Sequence, residues 1–223
     1  LGGFAFLQKK KMEGRIKKLG FSYHDNAELL DQILTEHPET EVVQLQINYL
    51  DWDDQRVQSG KCYETARKHG KEIIVMEPVK GGALSELPAD AGAILDALGG
   101  GSHASYALRF AEGFENVYMV LSGMSSIEQM RDNLATMSDF RPLDETELAA
   151  VRKVAETLRG KGAIPCTACR YCTGHCPQQL DIPDLLALYN EHRFTGGGFL
   201  APMALSALPE DKRPSACLLY TSD

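Results

Sequence analysis

No stretch of about 18 consecutive apolar residues occurs in this sequence, which excludes a bilayer-spanning helix. Basic side chains are in the minority: 23 Lys and Arg stand against 31 Asp and Glu, for a net charge of -8. An acidic chain repels phosphate backbones and anionic membrane surfaces, so neither nucleic acid nor a membrane is the expected partner. Lys9, Lys10 and Lys11 lead into polar sequence rather than an apolar stretch. The expectation is therefore no signal peptide and a cytoplasmic protein. No G-x-G-x-x-G follows any apolar run, so a dinucleotide fold of the Rossmann type lacks its phosphate loop. The run Gly99–Gly101 follows a helical segment and reads as a linker. Scattered cysteines of the kind that staple small secreted domains are also lacking.

What is present is an ordinary globular composition, 223 residues with 43% hydrophobic and 24% charged side chains. An alternation of short β-branched runs and helical patterns repeats four times between residues 14 and 138. The strand candidates are residues 16–21, 42–47, 73–77 and 117–122, each nearly continuous in apolar character, as buried parallel strands are. After the first run, Ala27, Leu30, Ile33 and Leu34 keep helical spacing, with Asp25 read as the N-cap and Glu28 completing a capping box. The helix after the fourth run is read the same way, with Ser125 as cap and Glu128 three residues on. Such alternation predicts a parallel α/β domain with right-handed crossovers. A complete eight-unit barrel needs about 250 residues, and the pattern here ends after about 140. Residues 144–160 form a charged amphipathic helix with Leu148, Val151, Val154 and Leu158 on one face. The composition then turns to Cys, Gly and Pro, which places a domain boundary near residues 160–164 and divides the chain into 1–160 and 161–223.

Four of the six cysteines, Cys166, Cys169, Cys172 and Cys176, fall in one run, C-x2-C-x2-C-x3-C-P, ending at Pro177. Three thiolates two residues apart wrap three corners of a cubane, and the fourth turns the chain away. This is the spacing of a 4Fe-4S cluster, in whose two-cluster forms the fourth cysteine serves the other cluster. The competing reading is a zinc knuckle with His175 as a ligand. Zinc sites take two close pairs across a long spacer, so the spacing favours iron and sulfide. Either Cys176 closes a single four-cysteine cluster or it belongs to a second one. Downstream only Cys217 remains.

The sequence resembles the aldo/keto reductases whose barrel carries a C-terminal ferredoxin-like domain. GRIKKLGFSYHD at 14–25 looks like that family's fifth strand, VVQLQINYLDW at 42–52 like the sixth, VMEPVKGG at 75–82 like the seventh. LSGMSSIEQMRDN at 121–133 looks like the eighth strand with its cofactor helix, and residues 165–190 look like the cluster domain. The resemblance implies the C-terminal half of a (β/α)8 barrel followed by a small α-helical iron–sulfur domain, that is, a fragment of a longer protein. The family's catalytic tetrad of Asp, Tyr, Lys and His then has no counterpart here; His24 lies on the wrong strand and reads as a loop residue. The context of Cys217 resembles the opening of a second cysteine run, and LLYTSD at 218–223 departs from it, as translated adapter sequence would.

The resemblance also implies an NADP(H) site. Ser22 and Gln44 would bond the nicotinamide carboxamide, and Met76 would pack on the ring, although each also reads as an ordinary loop or core residue. Asn48 is a further strand-end residue. The physical case is firmer at Gly123 and Ser125, where a helix N-terminus presents free amides and positive dipole to phosphate. Gln129 and Asn133 follow on one helix face near the adenine, and Arg131 is a candidate for a 2′-phosphate. Trp52 lines the substrate mouth or packs under a loop. The implied function is hydride exchange between NADP(H) and a small carbonyl-type substrate, with 4Fe-4S clusters passing single electrons to a redox partner protein. The alternative is a non-catalytic electron-transfer or sensing module with a nucleotide-binding barrel; a structural zinc domain is a third reading.

Overall fold

The computed structural model describes residues 2–55, 57–160, 164, 166, 170, 172–194 and 200–213. The chain divides into two compact units, Leu1–Ala155 and Glu156–Asp223.

The first unit is built on a parallel sheet of β1 (Gly20–Ser22), β2 (Val42–Gln46), β3 (Glu72–Met76) and β4 (Val117–Val120), ordered as in the chain. Alternation along the strands decides which face meets the helices. Val43, Leu45, Ile73 and Val75 are fully buried, while Gln44, Gln46, Ile74 and Met76 on the other face are half-buried. The register sets Ser22 beside Gln44, Gln44 beside Ile74, and Gln46 beside Met76. β1 and β2 approach so closely at Gly20 that a Cβ there would lie 2.5 Å from the Val42 carbonyl oxygen, so only glycine fits.

The crossovers are α2 (Ala27–Glu36), α3 (Ser59–Lys68), and the pair α4 (Ala89–Asp96) and α5 (His103–Glu112). α6 (Ile127–Ser138) follows β4, and α7 (Glu145–Gly160) carries the boundary between the units. Leu30 and Leu34 of α2, Ala66 of α3, Leu95 of α4 and Tyr106 of α5 are buried at 1% exposure or less. The glycine run ends before α5, which is capped by Ser102, and Gly100 donates its amide to the Tyr106 hydroxyl at 2.9 Å.

Several local expectations need correction. The first strand begins at Gly20, not at residue 16; of the polar stretch before it only Leu19 is buried. α2 is capped by Asn26, whose Oδ1 accepts from the Leu29 amide at 3.0 Å, so Glu28 is one position short of a capping box. Asp25 instead accepts from the Asn26 amide at 2.7 Å. α6 is capped by Ser126 and boxed by Gln129, displacing Ser125 and Glu128 by one residue. An additional helix, α1 (Gly3–Met12), has no buried residue and shows no amphipathic pattern; Phe4 attaches it by stacking on His37 at 3.6 Å.

In the second unit the described elements are a 3₁₀ turn at Thr173–His175, α8 (Ile182–Phe194), α9 (Leu200–Ala207) and a 3₁₀ turn at Glu210–Lys212.

Candidate functional site

A cleft of about 520 Å³ opens at the C-terminal ends of β3 and β4. One wall is the loop after β3, with Met76, Glu77, Pro78, Val79, Gly81 and Gly82; the other is Leu121 to Ser125 and the start of α6, with Gln129 and Asn133. Parallel strands all leave the sheet at the same end, so their following loops converge there. The volume is in the range of small-molecule sites, about 300–1,000 Å³.

The α6 terminus is the polar side of the cleft. Gln129 Oε1 accepts from the amides of Ser125 at 2.8 Å and Ser126 at 3.3 Å, a position that an anionic oxygen can contest. Asn133 Nδ2 donates to Ser122 Oγ at 2.9 Å, which ties the first turns of the helix to the strand end. A Cβ built on Gly123 would meet nothing within 4 Å, so backbone is open to a ligand on that wall; on the other, Gly81 and Gly82 adopt φ of 60° and 96°, the region that favours glycine.

Of the residues singled out in the sequence, Met76, Gly123, Ser125, Gln129 and Asn133 line this one cleft. Ser22 and Gln44 do not line it. They share a register position on the sheet face opposite the helices, and Gln44 Nε2 lies 3.4 Å from Met76 Sδ. Trp52 stacks on Phe114 at 4.3 Å, within a cluster that includes Tyr63 and Phe110. It therefore packs among the helices and does not line the cleft. His24 is an exposed loop residue, and Arg131 is exposed on α6. Sequence reasoning misses the Glu77–Gly82 loop as a wall; its signal is the Gly81-Gly82 pair so soon after a strand.

A profile of the aldo/keto reductase family matches residues 2–156. The chain belongs to the aldo/keto reductase family. Its fold is shared with solved structures at low sequence identity. An aldo-keto reductase from Bacillus halodurans, in its holo form, superposes with a TM-score of 0.52 at 22% identity, over 68% of this chain and 54% of its own. An aldo-keto reductase from Klebsiella pneumoniae in complex with NADPH gives 0.51 at 18% identity, over 66% and 51%. A Klebsiella pneumoniae aldo/keto reductase in complex with NADP and acetate gives 0.52 at 18%, over 68% and 53%. This aldo/keto reductase chain thus spans about half the length of the solved structures it matches. No curated protein sequence matches it.

In the second unit, Cys166 is exposed, Cys172 half-buried and Cys176 buried, and all three are free thiols. Cys169 and Cys217 lie outside the described residues. Successive turns wind the chain around residues 170–179: the Thr173 amide donates to Arg170, His175 to Cys172, Cys176 to Thr173, and Gln179 to Cys176. The Leu180 amide points at Cys176 Sγ, 3.5 Å away. Among the described residues no three His, Cys, Asp or Glu side chains converge as a metal site.

Proposed function

We propose that this chain is the nucleotide-binding part of an NADP(H)-linked oxidoreductase that also carries a 4Fe-4S cluster. The observation that carries the reading is the cleft itself. It joins a helix N-terminus, whose amides and dipole suit a diphosphate, to a neighbouring row of amide and thioether side chains that suit a nicotinamide. Gly123 and the amides of Ser125 and Ser126 hold the phosphates, with Gln129 and Asn133 toward the adenine. Met76 packs on the nicotinamide ring, and Gln44 and Ser22 bond its carboxamide and select the ring face. A bound nicotinamide supplies hydride exchange with the carbon of a small carbonyl-type substrate. The residues named here bind and orient; the acid that protonates the carbonyl oxygen is assigned to no residue of this chain. The NADPH and NADP held by the two Klebsiella pneumoniae proteins support the choice of cofactor.

The cysteine run fits an iron–sulfur cluster in donor chemistry. Its ligands would be Cys166, Cys169, Cys172 and Cys176, and Cys217 would belong to a second cluster. Support comes from the spacing, the tight turns at 170–179, and the amide aimed at the Cys176 sulfur, a hydrogen bond of the kind that orients a metal ligand. Bound there, a cluster supplies one-electron chemistry to a redox partner protein.

The test is fluorescence titration of the anaerobically purified chain with NADPH, alongside metal and sulfide analysis. Gly123→Glu puts a carboxylate into the open side of the cleft and is expected to weaken NADPH binding by about tenfold or more. Binding unaffected by that change removes the cleft as the site. Iron and labile sulfide in near-equal amounts are expected; zinc in their place sinks the cluster.

A further inference from the structure

The loop that forms one wall of the cleft has an unusual backbone. Glu77 and Lys80, neither of them glycine, adopt left-handed φ of 55° and 47°, followed by Gly81 and Gly82 at 60° and 96°. Side chains other than glycine resist that region, so something must hold them there. Both are tied into one buried cluster. Asp51, 4% exposed, accepts from Lys80 Nζ at 3.0 and 3.2 Å, from Asn48 Nδ2 at 2.8 Å and from Gln46 Nε2 at 2.7 Å. Asn48, fully buried, also donates to the Glu77 carbonyl at 3.0 Å, and its own Oδ1 accepts from the amides of Leu50 and Asp51. One left-handed residue is thus anchored through its carbonyl and the other through its ammonium, both on the segment that leaves β2.

We propose that Asp51, acting through Asn48 and Lys80, is the positioning residue that sets the shape of the nucleotide cleft by holding the loop of residues 77–82 in its left-handed form. None of the three side chains lines the cleft. The part played in binding rests on the nucleotide reading given above; the part played in holding the loop does not. A buried carboxylate with three donors is satisfied only while Lys80 stays folded inward, so the loop has one arrangement rather than several.

The experiment pairs NADPH titration with hydrogen exchange of the loop amides, using Asp51→Asn and the double variant Asp51→Leu with Lys80→Met. The second removes both charges together, so that neither is left buried without its partner. Both variants are expected to weaken NADPH binding by about tenfold or more. Both are also expected to speed exchange at the Lys80, Gly82, Ala83 and Leu84 amides by about tenfold, with those of β2 unchanged. A double variant that melts like the parent yet keeps both defects separates positioning from mere stability. Parent-like exchange in the loop, or loosened exchange with parent-like affinity, overturns the proposal. If the parent itself fails to bind NADPH, the nucleotide reading falls, and the hold of Asp51 on the loop is decided by the exchange data alone. Should the double variant not fold, Asp51→Asn decides.

Discussion

Cys62 is buried, whereas Cys166 of the cysteine run is exposed. Burial in α3, with the Asp25 carboxylate nearby, pushes the Cys62 thiol up to about 11. Its proton is therefore held more tightly in the folded chain than in the unfolded one. Stability contributed by the neutral thiol is full below the unfolded value near 9 and is lost as the pH rises from there toward 11. Iodoacetamide at pH 8 is expected to modify Cys62 at least about tenfold more slowly in the native protein than in the urea-unfolded chain, read by mass spectrometry. Equal rates would mean that Cys62 is not shielded as described. Asp31 shows the opposite sign: bonds from Lys68 and His69 hold its carboxyl below the ordinary range, so its contribution disappears as the pH falls through that lowered value.

At the scale of elements, helix starts decide where polar backbone is available. Ser126 and Gln129 satisfy each other's neighbouring amides at the head of α6, and no residue of that helix is buried. With so little packing behind it, the cap is a large share of what fixes the helix. Ser126→Ala is expected to cost about 1 kcal/mol in urea unfolding and to loosen the amides at the phosphate end of the cleft. A cost near zero would show that α6 is held by something other than its cap. By contrast, α2 is held from within the core through Leu30 and Leu34.

At the scale of the whole molecule, the four-stranded sheet has two edges, β1 and β4. Near the second lie exposed apolar side chains: Tyr118 and Met119 of β4, Leu121 and Met124 beyond it, and Ile127, Met130 and Leu134 on α6. An unpaired strand edge beside exposed apolar groups favours association. The chain is expected to show a concentration-dependent melting transition and light scattering, and Ile127→Lys with Leu134→Lys is expected to reduce both. A sharp melt that does not move with concentration would contradict this.

The local and periodic part of the fold is written in the chain. Continuous apolar runs alternating with 3.6-residue spacing suffice for parallel β/α units, because both faces of such strands must be covered. Residues 42–46 and 72–76 were legible for that reason. The head of α6 was legible to within one residue, since Ser125 and Ser126 are both good caps and only geometry chooses between them. Tertiary structure alone decided the rest. It brought Met76 and Gly123 to one cleft from separate strands, left Ser22 and Gln44 on the adjoining sheet face, and turned Trp52 into the helix layer. It also placed two non-glycine residues of the cleft loop, Glu77 and Lys80, in left-handed backbone, which no local preference favours. Asn48 holds Glu77 and Asp51 holds Lys80, each across 29 positions of chain. Contacts of that separation cost chain entropy that only a completed fold repays, so no window of sequence contains them.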